Sequence, residues 1–206
     1  NIKKQKNKFL VSGKNNSKNL VLDNKKINQL LNIDFSNLKI KSAEFDLSNT
    51  FSFKIDNKYK IDDFKIDSLM NLKNSKVVSS KNLKEFFPEL NEIIELSDHQ
   101  IQIKYKKDLL SIIGSGNILI QKEKDNINYN FLKSETNFKF DTSLEIKKNP
   151  FNLNFLNYKK DHDDKLEIII FGVKNLLSNE INLKDISIKE RNNKFEFKNL
   201  FLSNKY

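Results

Sequence analysis

The chain has 206 residues, 37% of them hydrophobic, with 17 Phe, no Trp, no Cys and a formal charge of +10. Without cysteine there is no disulfide framework, thiolate zinc site or thiol nucleophile. Two Pro and four Gly are too few for a collagenous or Pro/Gly-rich disordered chain. The cations are Lys with one Arg, Arg191, and the lysines stand singly between apolar residues. That spacing describes solvated strand faces. Arg, the residue suited to bidentate base and phosphate contacts, is nearly absent, so nucleic acid is not read as a partner.

Residues 1–37 read as a polar N-terminal segment. It holds an apolar step at Phe9, Leu10 and Val11, a short strand at 19–22, and one or two helical turns over 25–32. Strand sequence dominates 38–206. Leu38 and Ile40 share one parity, and Phe45, Leu47, Phe51, Phe53 and Ile55 take the other. That slip predicts a bulge or bend near Lys41-Ser42. Asp56-Asn57-Lys58 is turn sequence, and Phe64 and Ile66 resume on even positions. Over 82–96 the sequence NLKEFFPELNEIIEL carries apolar residues near helical spacing, with Asn82 and Glu85 placed as a capping box. Pro88 restricts the helix to a start near itself, because proline is tolerated in a first turn and not beyond it.

Strands return after Ser97-Asp98. They are expected around Ile101/Ile103/Tyr105, Ile118/Ile120, Ile127/Tyr129/Phe131, 138–146, Phe151/Leu153/Phe155, 166–173, 181–188 and 195–203. The links are short and polar, which implies consecutive antiparallel strands in a meander. In the last pair, a turn centred on Asn192-Asn193 would set Ile188 opposite Phe197. Ile186, Ile188, Phe195 and Phe197 would share one face, with Lys189 and Glu196 on the other.

No constellation points to catalysis, metal or cofactor. DHDDK, 161–165, gathers acids about His162 but falls between strands, where a polar turn is expected. His99 follows the expected helix and has no motif around it. GSG, 114–116, precedes a strand and lacks the Lys-Ser/Thr of a phosphate loop. The longest apolar run, 168–173, is far short of the ~20 residues of a membrane-spanning helix. The chain begins at Asn1 and stops within strand-like sequence at Tyr206, and it reads as an internal piece of a longer protein.

The apolar stripe is what remains to be explained. Two sheets covering each other would make a ligand-free structural or adhesive β-sandwich. A sheet left open would present a groove for an apolar ligand. An outer-membrane barrel fits less well, because Lys interrupts nearly every strand and no aromatic girdles are evident.

Three stretches resemble the AsmA-like family of bacterial envelope proteins. They are SAEFDLSNTFSFKIDNKYKIDDFKIDSLMNLKN (42–74), NLKEFFPELNEIIELSDHQIQIKYKKDLLSIIGSGNILI (82–120) and INYNFLKSETNFKFDTSLEIKKNPFNLNFLNYKK (127–160). The resemblance is one of rhythm: a short FFPEL helix, then strands with Phe and Ile alternating, then Asn/Lys turns. It covers roughly 38–206. It implies a periplasmic segment of a protein anchored in the inner membrane outside these residues and meeting outer-membrane proteins. Phospholipid acyl chains would slide along its apolar lining, with no catalytic residues and no cofactor. The expected fold is thus mainly β, a twisted antiparallel meander forming an open, taco-like groove with one short helix near 82–96. The residues expected to face lipid are Phe45, Phe51, Phe53, Ile101, Ile103, Ile118, Ile120, Phe138, Phe140, Ile188 and Phe197.

Overall fold

The computed structural model describes residues 1–5, 8–23, 40–160 and 164–202. They form one antiparallel sheet of eleven strands and a separate two-stranded ribbon. In chain order the strands are β1 (Ile2–Gln5), β2 (Lys8–Asp23), β3 (Ile40–Asp56), β4 (Ile61–Val78), β5 (Ile93–Lys106), β6 (Leu109–Leu119) and β7 (Asp125–Lys133). They continue as β8 (Asn137–Ile146), β9 (Asn152–Leu153), β10 (Tyr158–Lys159), β11 (Leu166–Asn175), β12 (Ile181–Glu190) and β13 (Asn193–Leu202). Each strand of the large sheet pairs with its neighbour in sequence, and β11 continues from β8 after the β9–β10 ribbon. The sheet is not closed on itself. A sandwich would need a second full layer, and the other sheet has only two strands.

Period-two alternation separates the two faces. One row across the sheet runs Met70, Ile101, Gly114, Tyr129, Thr142, Ile170, Ile186, Phe197, each paired with the next. The next residue along each strand gives Asn71, Gln100, Ser115, Asn128 and Ser143 on the opposite face. The faces stay consistent because bulges absorb each parity slip. The register shifts between Ile40 and Ser42, where the sequence predicted a slip. It shifts again between Ser52 and Lys54, with Asp63 opposite them in the left-handed region at φ 53°. A third shift sets Asp98 and His99 of β5 against the single Gly116, with Asp98 at φ 58°.

Several expectations are corrected. Residues 1–23 are not a separate polar segment, since β1 and β2 are the first strands of the same sheet. The predicted helical turn at 25–32 lies outside the described residues. The short helix near 82–96 is a single 3-10 turn, Lys81–Glu85, and no helix grows from Pro88. Ile93, Ile94 and Leu96 instead open β5 against Val78, Val77 and Ser75. Apolar spacing alone could not separate these outcomes. β4 offers a row of unpaired backbone groups, and pairing with it satisfies more hydrogen bonds than a short exposed helix can. Phe151/Leu153/Phe155 make no strand of the large sheet. Only Asn152–Leu153 is extended, in the ribbon, and a 3-10 turn follows at Asn154–Leu156. In the last hairpin the turn is Arg191-Asn192, with Arg191 at φ 48°, so Ile188 pairs with Phe195 and Ile186 with Phe197. The two-residue turn is favoured because its twist matches the strands. An even shift keeps the faces: the four apolar residues share one side, and Ser187, paired with Glu196, lies on the other.

The links at the two ends of the strands differ. The β3–β4, β5–β6, β7–β8 and β11–β12 links are tight turns at one end. At the opposite end the β4–β5 and β8–β11 links are long and fold back over the apolar face. There Phe87, Ile118, Ile120, Ile146, Phe151, Leu153, Leu166, Ile168 and Ile188 form the buried core. Phe86 and Phe87 pack on Phe151, and Tyr158 sets its ring edge on Phe195.

Polar side chains pin this cover. Gln121, 1% exposed, accepts from the Glu89 N–H and donates to the Pro150 carbonyl, at 2.9 and 2.8 Å. Asn149 donates to Asp125 at 2.7 Å, and Asp125 also accepts from the Lys147 N–H. Burial pushes the Asp125 carboxyl up, opposed by those two bonds and by the nearby lysines Lys160 and Lys147.

Candidate functional site

All eleven residues singled out from the sequence lie on the apolar face, and the structure divides them into a covered group, an uncovered group and Phe45, which is buried apart from both. Ile118, Ile120 and Ile188 belong to the covered core, and Phe197 lies 6.1 Å, ring to ring, from Phe155 of the ribbon link. The three isoleucines are roofed by the protein's own links, and Phe197, half-buried, is covered only in part. Phe51, Phe53, Ile101, Ile103, Phe138 and Phe140 lie away from the cover and are half-buried. Phe45 is 6% exposed and packs in its own row with Leu72.

The uncovered part is strongly aromatic. Rings stack along it from Tyr129 to Phe131, Phe138 and Phe140 at centroid distances of 5.3, 5.7 and 6.1 Å. Phe51 and Phe53 make a second stack at 6.3 Å. All four glycines sit under these rings or under His99. A Cβ on Gly13 would stand 2.5 Å from Phe51, on Gly114 2.5 Å from Tyr129, on Gly116 2.3 Å from His99 and on Gly172 2.4 Å from Phe140. None has positive φ. Glycine is used here for close approach, letting a ring lie flat across the neighbouring strand. No local pattern signals this use, since the partner ring lies at least 15 residues away.

His99, 1% exposed, is buried in the uncovered part of this face. Its Nε2 lies 2.9 Å from the Asn117 carbonyl and its Nδ1 3.2 Å from the Tyr129 hydroxyl. The carbonyl can only accept, so Nε2 carries the proton and Tyr129 donates to Nδ1. Burial holds the imidazole below its ordinary value and pushes Tyr129 up to about 12. Both groups are therefore neutral at pH 7 and satisfied by one another, which is a structural role.

A pH dependence follows. The folded state binds fewer protons at His99 than the unfolded chain does, so this contribution is complete above the unfolded value of 6.5. It is lost as pH falls below that value. The lowered carboxylates Asp46, Asp62, Asp63 and Glu196 lose their contributions only below their ordinary acid values, and Asp125 acts with the opposite sign. Melting temperature should drop as pH falls below about 6.5 in the parent, and His99→Gln should remove that drop.

The polar face carries Lys–carboxylate pairs, such as Lys73 with Asp46 at 3.0 Å and Lys76 with Glu95 at 3.4 Å. It also holds a concavity of about 1060 Å3, lined in part by Asn71, Gln100, Ser115, Asn128 and Ser143. Among the described residues no group of His, Cys, Asp and Glu is placed to hold a metal ion. His162 of the DHDDK stretch lies outside them, while Asp164 pairs with Arg191 at 2.5 Å. Among the described residues no helix is long and apolar enough to cross a membrane.

Fold and surface together define a single-layer, open β-sheet with one apolar face, roofed at one end by its own links and aromatic over the rest. The chain matches no family model, no curated protein and no solved structure.

Proposed function

We propose that the uncovered apolar face binds lipid acyl chains. On this reading the chain is a segment of an AsmA-like, inner-membrane-anchored bridge that moves phospholipid through the periplasm to the outer membrane. The observation that carries the reading is the contrast along one face. Residues beneath the links are buried, whereas Phe51, Phe53, Ile101, Ile103, Phe138 and Phe140 away from them remain half-buried. Apolar surface of that kind gains from a cover, and each methylene withdrawn from water contributes about 0.8 kcal/mol. The polar groups set into the face, His99 and Tyr129, already bond each other. With those two groups occupied by each other, selectivity among lipid head groups should be weak. No residue is assigned a catalytic role.

The test is binding of a fluorescent fatty acid. The parent should bind it, and Phe140→Asp should weaken binding at least tenfold, because a charge in the path of an acyl chain is desolvated when the chain enters. Leu69→Asp, on the polar face and 59% exposed, should leave binding unchanged. Folding of each variant is followed by circular dichroism. A folded parent that takes no probe, or equal binding by all three proteins, would favour a purely structural sheet.

A further inference from the structure

The turn end of the sheet carries a second amphipathic feature. Phe9, Tyr59, Ile61, Phe64 and Leu109 are 39%, 84%, 55%, 39% and 44% exposed. They lie at the start of β2, in and just beyond the β3–β4 turn, and at the start of β6. Phe9 pairs with Ile55 and Ile55 with Ile61, the Phe64 ring lies 5.9 Å from that of Tyr105 in β5, and Leu109 stands opposite Lys106 at the tip of the β5–β6 hairpin at the same end of the sheet. Single exposed apolar residues are ordinary, but five at one end of the sheet are a cluster that calls for a partner.

Cations surround the cluster. Lys58, Lys60, Lys106 and Lys107 stand in or beside the same two turns, and none makes an ion pair among the described residues. The carboxylates nearby are engaged. Asp62 pairs with Lys8, and Asp63 with Lys54 and Lys65. Asp56 accepts the Lys58 and Lys60 N–H groups, and Asp108 accepts from the Tyr105 hydroxyl. Next to the rim, on the polar face, is a concavity of about 650 Å3 lined by Lys14, Lys65, Lys104 and Lys106, with hydroxyls of Ser12 and Ser52 and the carboxylate of Asp67.

We propose that this rim, formed by the β3–β4 and β5–β6 turns, docks on the surface of an anionic lipid bilayer. Tyr59, Ile61 and Leu109 enter the boundary between head groups and acyl chains, and Lys58, Lys60, Lys106 and Lys107 lie among the phosphates. Apolar tips flanked by unpaired lysines match both layers of such an interface. A flat acidic protein would satisfy the lysines but leave the protruding apolar tips in water. Leu177, 79% exposed in the β11–β12 turn, is left out. The sheet turns roughly 100° over the five strand steps from β4 to β11, so that turn faces elsewhere. The proposal deepens the lipid reading by placing the bilayer at the open end of the apolar face, opposite the cover.

The test is sedimentation of the 206-residue protein with vesicles of phosphatidylcholine alone or mixed with phosphatidylglycerol. The parent should bind the mixed vesicles, bind phosphatidylcholine weakly, and lose binding as salt is raised. Lys58→Gln with Lys107→Gln should lower partitioning about thirtyfold, as expected for two interfacial lysines. Tyr59→Asn with Leu109→Ser should lower it about tenfold. Phe140→Asp should leave sedimentation intact while abolishing fatty-acid binding, so the two readings fail separately. Equal binding to both vesicle types, or unchanged partitioning in both rim variants, would overturn the docking proposal.

Discussion

Leu166→Ala should destabilise the protein by about 2–5 kcal/mol, the range found when a large buried aliphatic side chain is removed from a core. Leu166 is fully buried. It pairs with Ile146 on β8 and with Glu190 on β12, in the cluster where the two long links meet the sheet. The site cannot collapse easily, because sheet backbone holds it from below and Phe151 and Leu153 belong to the links above. The loss is large against the 5–15 kcal/mol that holds a typical domain folded. Chemical denaturation should show a lower midpoint with little change in slope. Phe140→Ala, at the uncovered end, should cost clearly less, since its ring is only half-buried. Equal losses at the two positions would mean that the whole apolar face is covered alike, and the division between roofed and open parts would fall with it.

Gly116→Val should be similarly damaging by the opposite mechanism. A Cβ there would stand 2.3 and 2.4 Å from the His99 ring and 2.7 Å from its Cα. The ring could swing away only by giving up its bonds to Asn117 and Tyr129, and the backbone at the bulge cannot move without breaking the β5–β6 register. Overpacking and a lost buried hydrogen bond together cost about 2–5 kcal/mol. Gly13→Ala is the matched control. The nearest atoms there are the far end of the Phe51 ring, at 2.5 and 2.8 Å, and that ring is half-buried with room to rotate, so about 1 kcal/mol is expected. Pairing Gly116→Val with His99→Ala should recover part of the loss, because the two side chains compete for one space. Thermal melts of the four variants would check the order. A Gly13 variant as damaging as the Gly116 variant would show that the ring positions are not what constrains these glycines.

What the sequence determined by itself was local and periodic. Alternation told which residues share a face, from Phe51 and Phe53 in β3 to Ile186 and Ile188 in β12, because side-chain direction in a strand depends on parity alone. It placed the slip at Lys41-Ser42 and the turn at Asp56–Lys58, because those are set by neighbouring residues. All eleven residues it singled out share the apolar face, whereas the GSG stretch, read as lying before a strand, lies within β6. It erred where two local outcomes had similar patterns and distant pairing chose between them. Ile93, Ile94 and Leu96 suit a helix face or a strand, and the free edge of β4 decided for the strand. Phe151 and Leu153 look like strand residues, yet they serve as a roof, because Gln121 and Asn149 tie their link to others far along the chain.

Only the tertiary structure decided which part of the apolar face is closed. Ile118 and Phe140 have the same strand context in sequence. One is roofed and the other open because the long links leave the sheet at a single end. The pairing of each glycine with a ring, the burial of His99 against Tyr129 and the placing of Tyr59 and Leu109 at one end of the sheet are likewise products of register. Register joins residues tens of positions apart, and no local pattern in the chain records it.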